Sequence, residues 1–319
     1  MNETNGTQAA PYRALDMLFR AYVPKLGHRP PFWRPESPAV APRVYVPAWS
    51  WRRPLSTDDG DFLTVLDANG AYLSAAASVE VAHGALRRAG SVPFDSARAG
   101  YWLVERHEWP AWDRIMSPLG GRPRGKEPRG AGRAVWVTTP TARLLAQLTE
   151  SGHWPGIDVL DSWLCDQTVR LRSWAAAIRR DRELARSRAC GAPDLDELRC
   201  CVWHQKDDAI KTGYAQAVVM FGVPGTSPIH RPDWAHTIRG QSATSNWSKA
   251  WAALLAGYPL AGAGHVDELV YPRAAALEMW RRQSHGQPTP IRIDLRGIDL
   301  GAYKVKAGSV PAAEWGRAA

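Results

Sequence analysis

The apolar positions of the chain follow two rhythms. Short, nearly continuous apolar runs read as strands: "FLTVLDA", which ends at Asp67 and gives way to Asn69-Gly70 and the small-residue helix "AYLSAAASVEVA", then "IDVLDSWLC" and "IRIDLRGID". "LAGAGHVDELVYP" reads as a strand, a turn and a strand with Asp267 near the tip. Longer stretches carry a helical period. "TTPTARLLAQLTESG" has a start at Thr139-Pro140 and a stop at Gly152. "TVRLRSWAAAIRRDRELARSRA" and "LDELRCCVWHQKDDAIKTGYAQAVVMFG", separated by "CGAPD", read as an antiparallel helical hairpin. A further helix lies in "HTIRGQSATSNWSKAWAALLAGYP", and a last amphipathic one over 273–283. Strand pieces interrupted by helices predict an α+β sheet with a helical insertion.

Between these elements the composition changes. Residues 24–54 are rich in Pro, Arg and Trp and read as an extended arm, and "GGRPRGKEPRGAGR", 120–133, as a mobile basic loop joining two strands. The 319 residues allow one large or two medium domains. A net charge of +9 favours anionic partners, of which nucleic acid is the commonest large one. The four cysteines form no C-x-x-C pair and lack finger-spaced histidines, which argues against a zinc finger or a disulfide framework and suits a reducing cytoplasm. No apolar run approaches the ~20 residues of a membrane span. Sixteen scattered tryptophans read as core aromatics rather than base-stacking platforms.

Two acids stand out against their apolar surroundings, Asp67 and Asp267. A carboxylate so placed is costly unless paired, hydrogen-bonded or bound to a cation. Taken singly, each reads first as a turn or helix-capping acid and only second as a metal ligand.

Their neighbours carry a resemblance. "DANGAYLS" resembles the first palm motif of family B DNA polymerases, in which a strand ends in a metal-binding Asp and a Tyr follows five residues on; Asp67, Asn69, Tyr72 and Ser74 are in register, while Gly70 and Leu73 replace the usual Ser and Pro. The helical hairpin resembles the family's fingers, with Lys211 as the triphosphate-contacting lysine, although Ala215-Gln216 and Val218-Val219 stand where Asn-Ser and Tyr-Gly are customary. "GHVDELVY" is similar to the palm hairpin with two alternate aspartates. In one register Asp267 takes the second, metal-binding position and His265 the first; in the other, Leu269 falls at the metal position and the site is lost. The first is preferred because "DELVY" then continues as the return strand. "DLGAYKVKAG" resembles the Leu-Gly-x-x-Lys segment that closes the palm, which puts Lys304 and Lys306 beside the primer strand.

The resemblance implies an antiparallel palm sheet flanked by helices, with a helical-hairpin fingers insertion. The expected division is an arm at 1–60, palm at 61–165 and 223–307, fingers at 166–222 and a tail at 308–319. It further implies a protein like the small protein-primed or mobile-element members, adding deoxynucleotides to a DNA primer-template by two-metal phosphoryl transfer with Mg²⁺ or Mn²⁺ on Asp67 and Asp267. Too little chain flanks the motifs for a proofreading exonuclease or an ordinary thumb. Lys211 with Arg179, Arg180 and Arg182 is expected to contact the nucleotide, and Asn69 and Tyr72 to flank it; for the arginines the rival is a solvated helix face, and for Tyr72 a core aromatic. The rival function is a degenerate polymerase-fold protein that binds DNA as a replication accessory, chromosome-end protein or regulator. A third reading is an unrelated basic α+β protein.

Overall fold

The run that reads as a buried strand is β2, Phe62–Ala68, and it lies inside a five-stranded sheet in the order β1-β9-β10-β2-β11. Its companions are β1 (Trp49–Arg52), β9 (Gly262–His265), β10 (Glu268–Pro272) and β11 (Tyr303–Pro311), and every neighbouring pair is antiparallel. The computed structural model describes residues 36–120, 134–188, 202–223 and 230–315, apart from 296 and 298. Most of the expected N-terminal arm, the basic loop from 121 and the break in the helical hairpin lie outside these residues.

Strand periodicity sorts the two faces of this sheet. Leu66, Ala68, Leu269, Tyr271 and Tyr303 enter the main core, whereas Leu63, Val65 and Val270 form a small cluster on the opposite face with Ala261. Asp67, opposite Glu268 on β10 and Lys304 on β11, belongs by alternation to that second face. Leu66 and Leu269 are wholly buried and each contributes about 1.5–3 kcal/mol through lost apolar exposure.

A second sheet of four strands runs β4 (Arg87–Arg88), β7 (Val159–Cys165), β5 (Ala99–Glu105) and β6 (Ala134–Thr138), and a ribbon pairs β3 (Glu80–Ala82) with β8 (Thr168–Arg170). Seven α-helices are found among the described residues: α1 (Ala71–Ser78), α2 (Thr139–Glu150), α3 (Arg172–Ser187), α4 (Val202–Phe221), α5 (Pro232–Leu255), α6 (Arg273–Ser284) and α7 (Ala312–Trp315). Helix α5 spans both cores. Trp234 near its start packs with Leu73, Trp174 and Phe221 in a helical core, and Trp247 further along sits in the main core. Burial of these indoles is tolerated because their N–H groups are satisfied: Trp247 donates to the Met116 carbonyl at 2.9 Å, Trp234 to Ala82 at 2.8 Å and Trp102 to Thr139 Oγ1 at 3.0 Å. Trp247 stacks on Trp251 at 5.5 Å and meets Trp109 edge-on at 5.7 Å, so these tryptophans are core aromatics.

The structure departs from the expected elements in three places. Thr168–Arg170, expected to open a fingers helix, is strand β8; β-branched Thr168 and Val169 suit a ladder with β3, and Arg170 pairs with Glu80 at 2.6 Å. "IRIDLRGID", expected as a strand, contributes a single bridge between Ile293 and Tyr303. Gly297 and Gly301, at φ 62° and 74°, turn the chain there, and the Asp294 carboxylate accepts from the Asp299 N–H. The ends expected to be arm and tail add β1, the end of β11 and α7 to the body. Among the described residues no helix is long and apolar enough to cross a membrane.

Candidate active site

Asp67 closes β2 one residue before the strand's end. There the chain turns sharply. Gly70 adopts φ 61° and ψ 42° at the start of α1, a conformation costly for any side chain, and a Cβ at this position would come within 2.4 Å of the Leu300 side chain. Asn69 is buried, and its amide donates to the carbonyls of Gly297 at 2.8 Å and Asp299 at 3.1 Å. Its backbone N–H and C=O bond to Ala302 and Gly301. The side chain expected beside the nucleotide therefore holds the loop that leads into β11, because both of its amide hydrogens are committed there.

Asp267 ends the two-residue turn, Val266 and Asp267, between β9 and β10. His265 takes φ 53°, buried Val266 anchors the turn, and the Asp267 carbonyl accepts the N–H of Ala68 at 2.9 Å. The residue after Asp67 is thus bonded to Asp267 itself. Leu269, the metal position of the other register, is buried in the core opposite Leu66. The Asp267 carboxyl is pushed up from 3.8 to about 6, chiefly by burial and next by the charge of Asp67, with His265 and Lys306 opposing. Two carboxylates here repel each other in a partly dry setting.

Cations border the pair. Lys304 Nζ lies 3.3 Å from Asp67 Oδ2, and Lys306 Nζ lies 2.7 Å from Glu268 Oε2. From α4, Lys211 reaches the same place: its ammonium is held below the ordinary lysine range first by partial burial and then by Lys304, while Asp67 acts in the opposite sense. Tyr72, on the first turn of α1, is half-buried where the two cores meet.

The arginines expected to face a nucleotide are divided. Arg179 pairs with Glu183 at 2.7 Å on an exposed helix face, and Arg180 is exposed. Arg182 instead is buried, its Nε 2.8 Å from Asp207 Oδ1, with Tyr214 beneath the guanidinium. This geometry braces α3 against α4: Asp207 holds Nε and Nη2, while the buried Nη1 has no hydrogen-bond partner among the described residues. Asp207 also takes Arg186 at 2.9 Å, and Arg186 Nη1 continues to the Gly297 carbonyl at 2.6 Å. Burial opposes ionisation of Asp207, but the two arginines prevail and hold its carboxyl below the ordinary range. Asp207 and Arg186 escaped the reading of the sequence. The signal was present as two arginines four residues apart on one helix and an acid on the next.

No family model and no curated protein matches the chain. Solved structures do. Phi29 DNA polymerase complexed with primer-template DNA superposes with a TM-score of 0.56 at 10% identity, covering 94% of this chain and 51% of that one. The same polymerase complexed with single-stranded DNA gives 0.57 at 10% identity, with 93% and 51% covered. The fold is polymerase-like. The chain spans about half the length of the polymerase it matches.

Proposed function

We propose that this polymerase-like protein extends a DNA primer with deoxynucleotides by phosphoryl transfer. In that reaction the primer 3′-oxygen bonds to the α-phosphorus of the incoming nucleotide as pyrophosphate departs. The observation that supports the reading is the closeness of Asp67, at the end of β2, to Asp267, in the turn that opens β10, with the Lys211 ammonium near enough to feel the charge of Asp67. The donor set fits Mg²⁺ or Mn²⁺, since it offers hard carboxylate oxygens whose mutual repulsion a cation relieves. Bound there, the cations supply charge stabilisation at the attacking and leaving oxygens.

The chain's own residues supply position and counter-charge. Lys211 is placed to neutralise triphosphate oxygens, and Lys304 and Lys306, lying along one edge of the site, to hold primer phosphates. Tyr72 forms a floor beneath the sugar. Phosphate contacts from a chain of charge +9 imply binding that weakens with salt. The setting proposed is cytoplasmic replication of a phage, plasmid or integrative element, with separate replication proteins as partners.

A specific observation favours the rival reading, DNA binding without polymerisation. Lys304 already occupies Asp67, and His265 stands where the family pattern has an acid. Primer extension with labelled dNTP and Mg²⁺ or Mn²⁺ separates the two. Extension by the wild type that disappears in Asp67→Ala and in Asp267→Ala supports catalysis. DNA retention without extension by any of the three supports the binding protein, and no DNA affinity at low salt refutes both.

A further inference from the structure

The four-stranded sheet brings together a second set of ligand-type side chains, away from the five-stranded sheet that carries Asp67. We propose that Glu105, His107 and Asp158 bind one divalent transition-metal ion of the zinc class. Glu105 ends β5, His107 follows two residues on, and Asp158 immediately precedes β7; each offers a ligand atom, and the three atoms lie within 4.8 Å of one another.

Two features make this more than a chance grouping of acids. Among the described residues neither carboxylate has a hydrogen-bond or ion-pair partner for its side chain, and Arg106, between Glu105 and His107, acts on Tyr45 instead. The negative charges of Glu105 and Asp158 thus converge without a lysine or arginine to balance them. Independently, His107 Nε2 is buried with no hydrogen-bond partner, while the ring sits edge-on to Trp154 at 5.6 Å. An imidazole among carboxylates turns the preference from magnesium or calcium, which favour oxygen ligands, towards zinc and its neighbours. Three protein ligands leave a fourth position on a tetrahedral ion, and exposed Asp158 lies on its solvent side.

The location gives such an ion work to do. Register between β5 and β7 slips here: Leu103 faces Asp161, Val104 faces Val159, and Leu160 is left outside the ladder and half exposed. Beyond it, the Glu105 N–H reaches the Asp158 carbonyl only at 3.4 Å. A metal shared by Glu105, His107 and Asp158 would clasp the strands where hydrogen bonding fails. It would also fix the segment carrying Trp109, Ile115 and Met116 into the main core.

Zn²⁺ titration of the full chain by calorimetry, in an Asp67→Ala/Asp267→Ala background that silences the palm carboxylates, tests this independently of polymerase activity. One equivalent is expected to bind and to raise the melting temperature, with affinity falling roughly tenfold or more in His107→Gln and in Asp158→Asn. Co²⁺ in place of Zn²⁺ should give visible absorption that vanishes in His107→Gln. Because Asp158 is exposed, Asp158→Asn keeps the test readable if His107→Gln fails to fold. An absence of stoichiometric Zn²⁺ binding, or binding unchanged by Asp158→Asn, overturns the proposal.

Discussion

Replacing Asp267 with Asn should stabilise the protein while abolishing whatever chemistry the carboxylate performs. The Asp267 carboxyl lies at about 6, against 3.8 ordinarily, because burial and Asp67 both penalise its ionised form. Below pH 3.8 the group is protonated in folded and unfolded chains alike and costs nothing. As pH rises from 3.8 to 6 the unfolded chain loses its proton first, so the folded state binds more protons and stability falls with pH. The gap of about two pH units, at 1.36 kcal/mol each, makes the loss about 3 kcal/mol by pH 7.5. Asn cannot ionise, so its advantage over the wild type should be about 2.5 kcal/mol larger at pH 7.5 than at pH 4, where part of the loss is already present. Urea unfolding of both proteins in EDTA at the two pH values measures this, and any fixed cost of the amide cancels in the comparison. Millimolar Mg²⁺ at pH 7.5 should narrow the gap by stabilising only the wild type. An Asn advantage that is absent, or equal at both pH values, would show that Asp267 is not held against its charge and would remove the electrostatic case for a cation there.

Two further substitutions probe the supports of the site. Asp207→Ala leaves the buried Arg182 guanidinium without its counter-charge and should cost about 3–5 kcal/mol in urea or thermal unfolding; a loss under 1 kcal/mol would show that the brace carries little. Gly70→Ala forces a Cβ into the left-handed region beside Leu300 and should cost about 1–2 kcal/mol, with primer extension falling as Asp67 and Tyr72 shift; unchanged melting and extension would contradict the required turn.

The strand end at Asp67 and the hairpin turn at Asp267 are legible in the sequence because each acid interrupts an apolar run, and only a strand end or hairpin tip tolerates that. The helix that carries Lys211 is legible as well, with the lysine midway along it. What stays hidden is direction. Arg179, Arg180 and Arg182 are chemically alike and nearly adjacent, yet only Arg182 turns inward, a choice made by Asp207 on the facing helix. Asn69 looks like a site residue but spends its amide on Gly297 and Asp299, carbonyls supplied by a loop far along the chain. "IRIDLRGID" has a strand's alternation, and Gly297 and the Asp294 side chain override it through contacts that local pattern does not contain. The ligand set of Glu105, His107 and Asp158 was equally hidden, since it forms only when β5 and β7 are paired.

One carbonyl oxygen, that of Gly297, accepts both from the Asn69 amide and from Arg186 on α3. A single acceptor therefore ties the turn that follows Asp67 to the helical hairpin, and any displacement of α3 relative to that turn must stretch one of the two bonds. Arg186→Lys, which removes the guanidinium fork, should loosen this tie while the Asn69 contact persists.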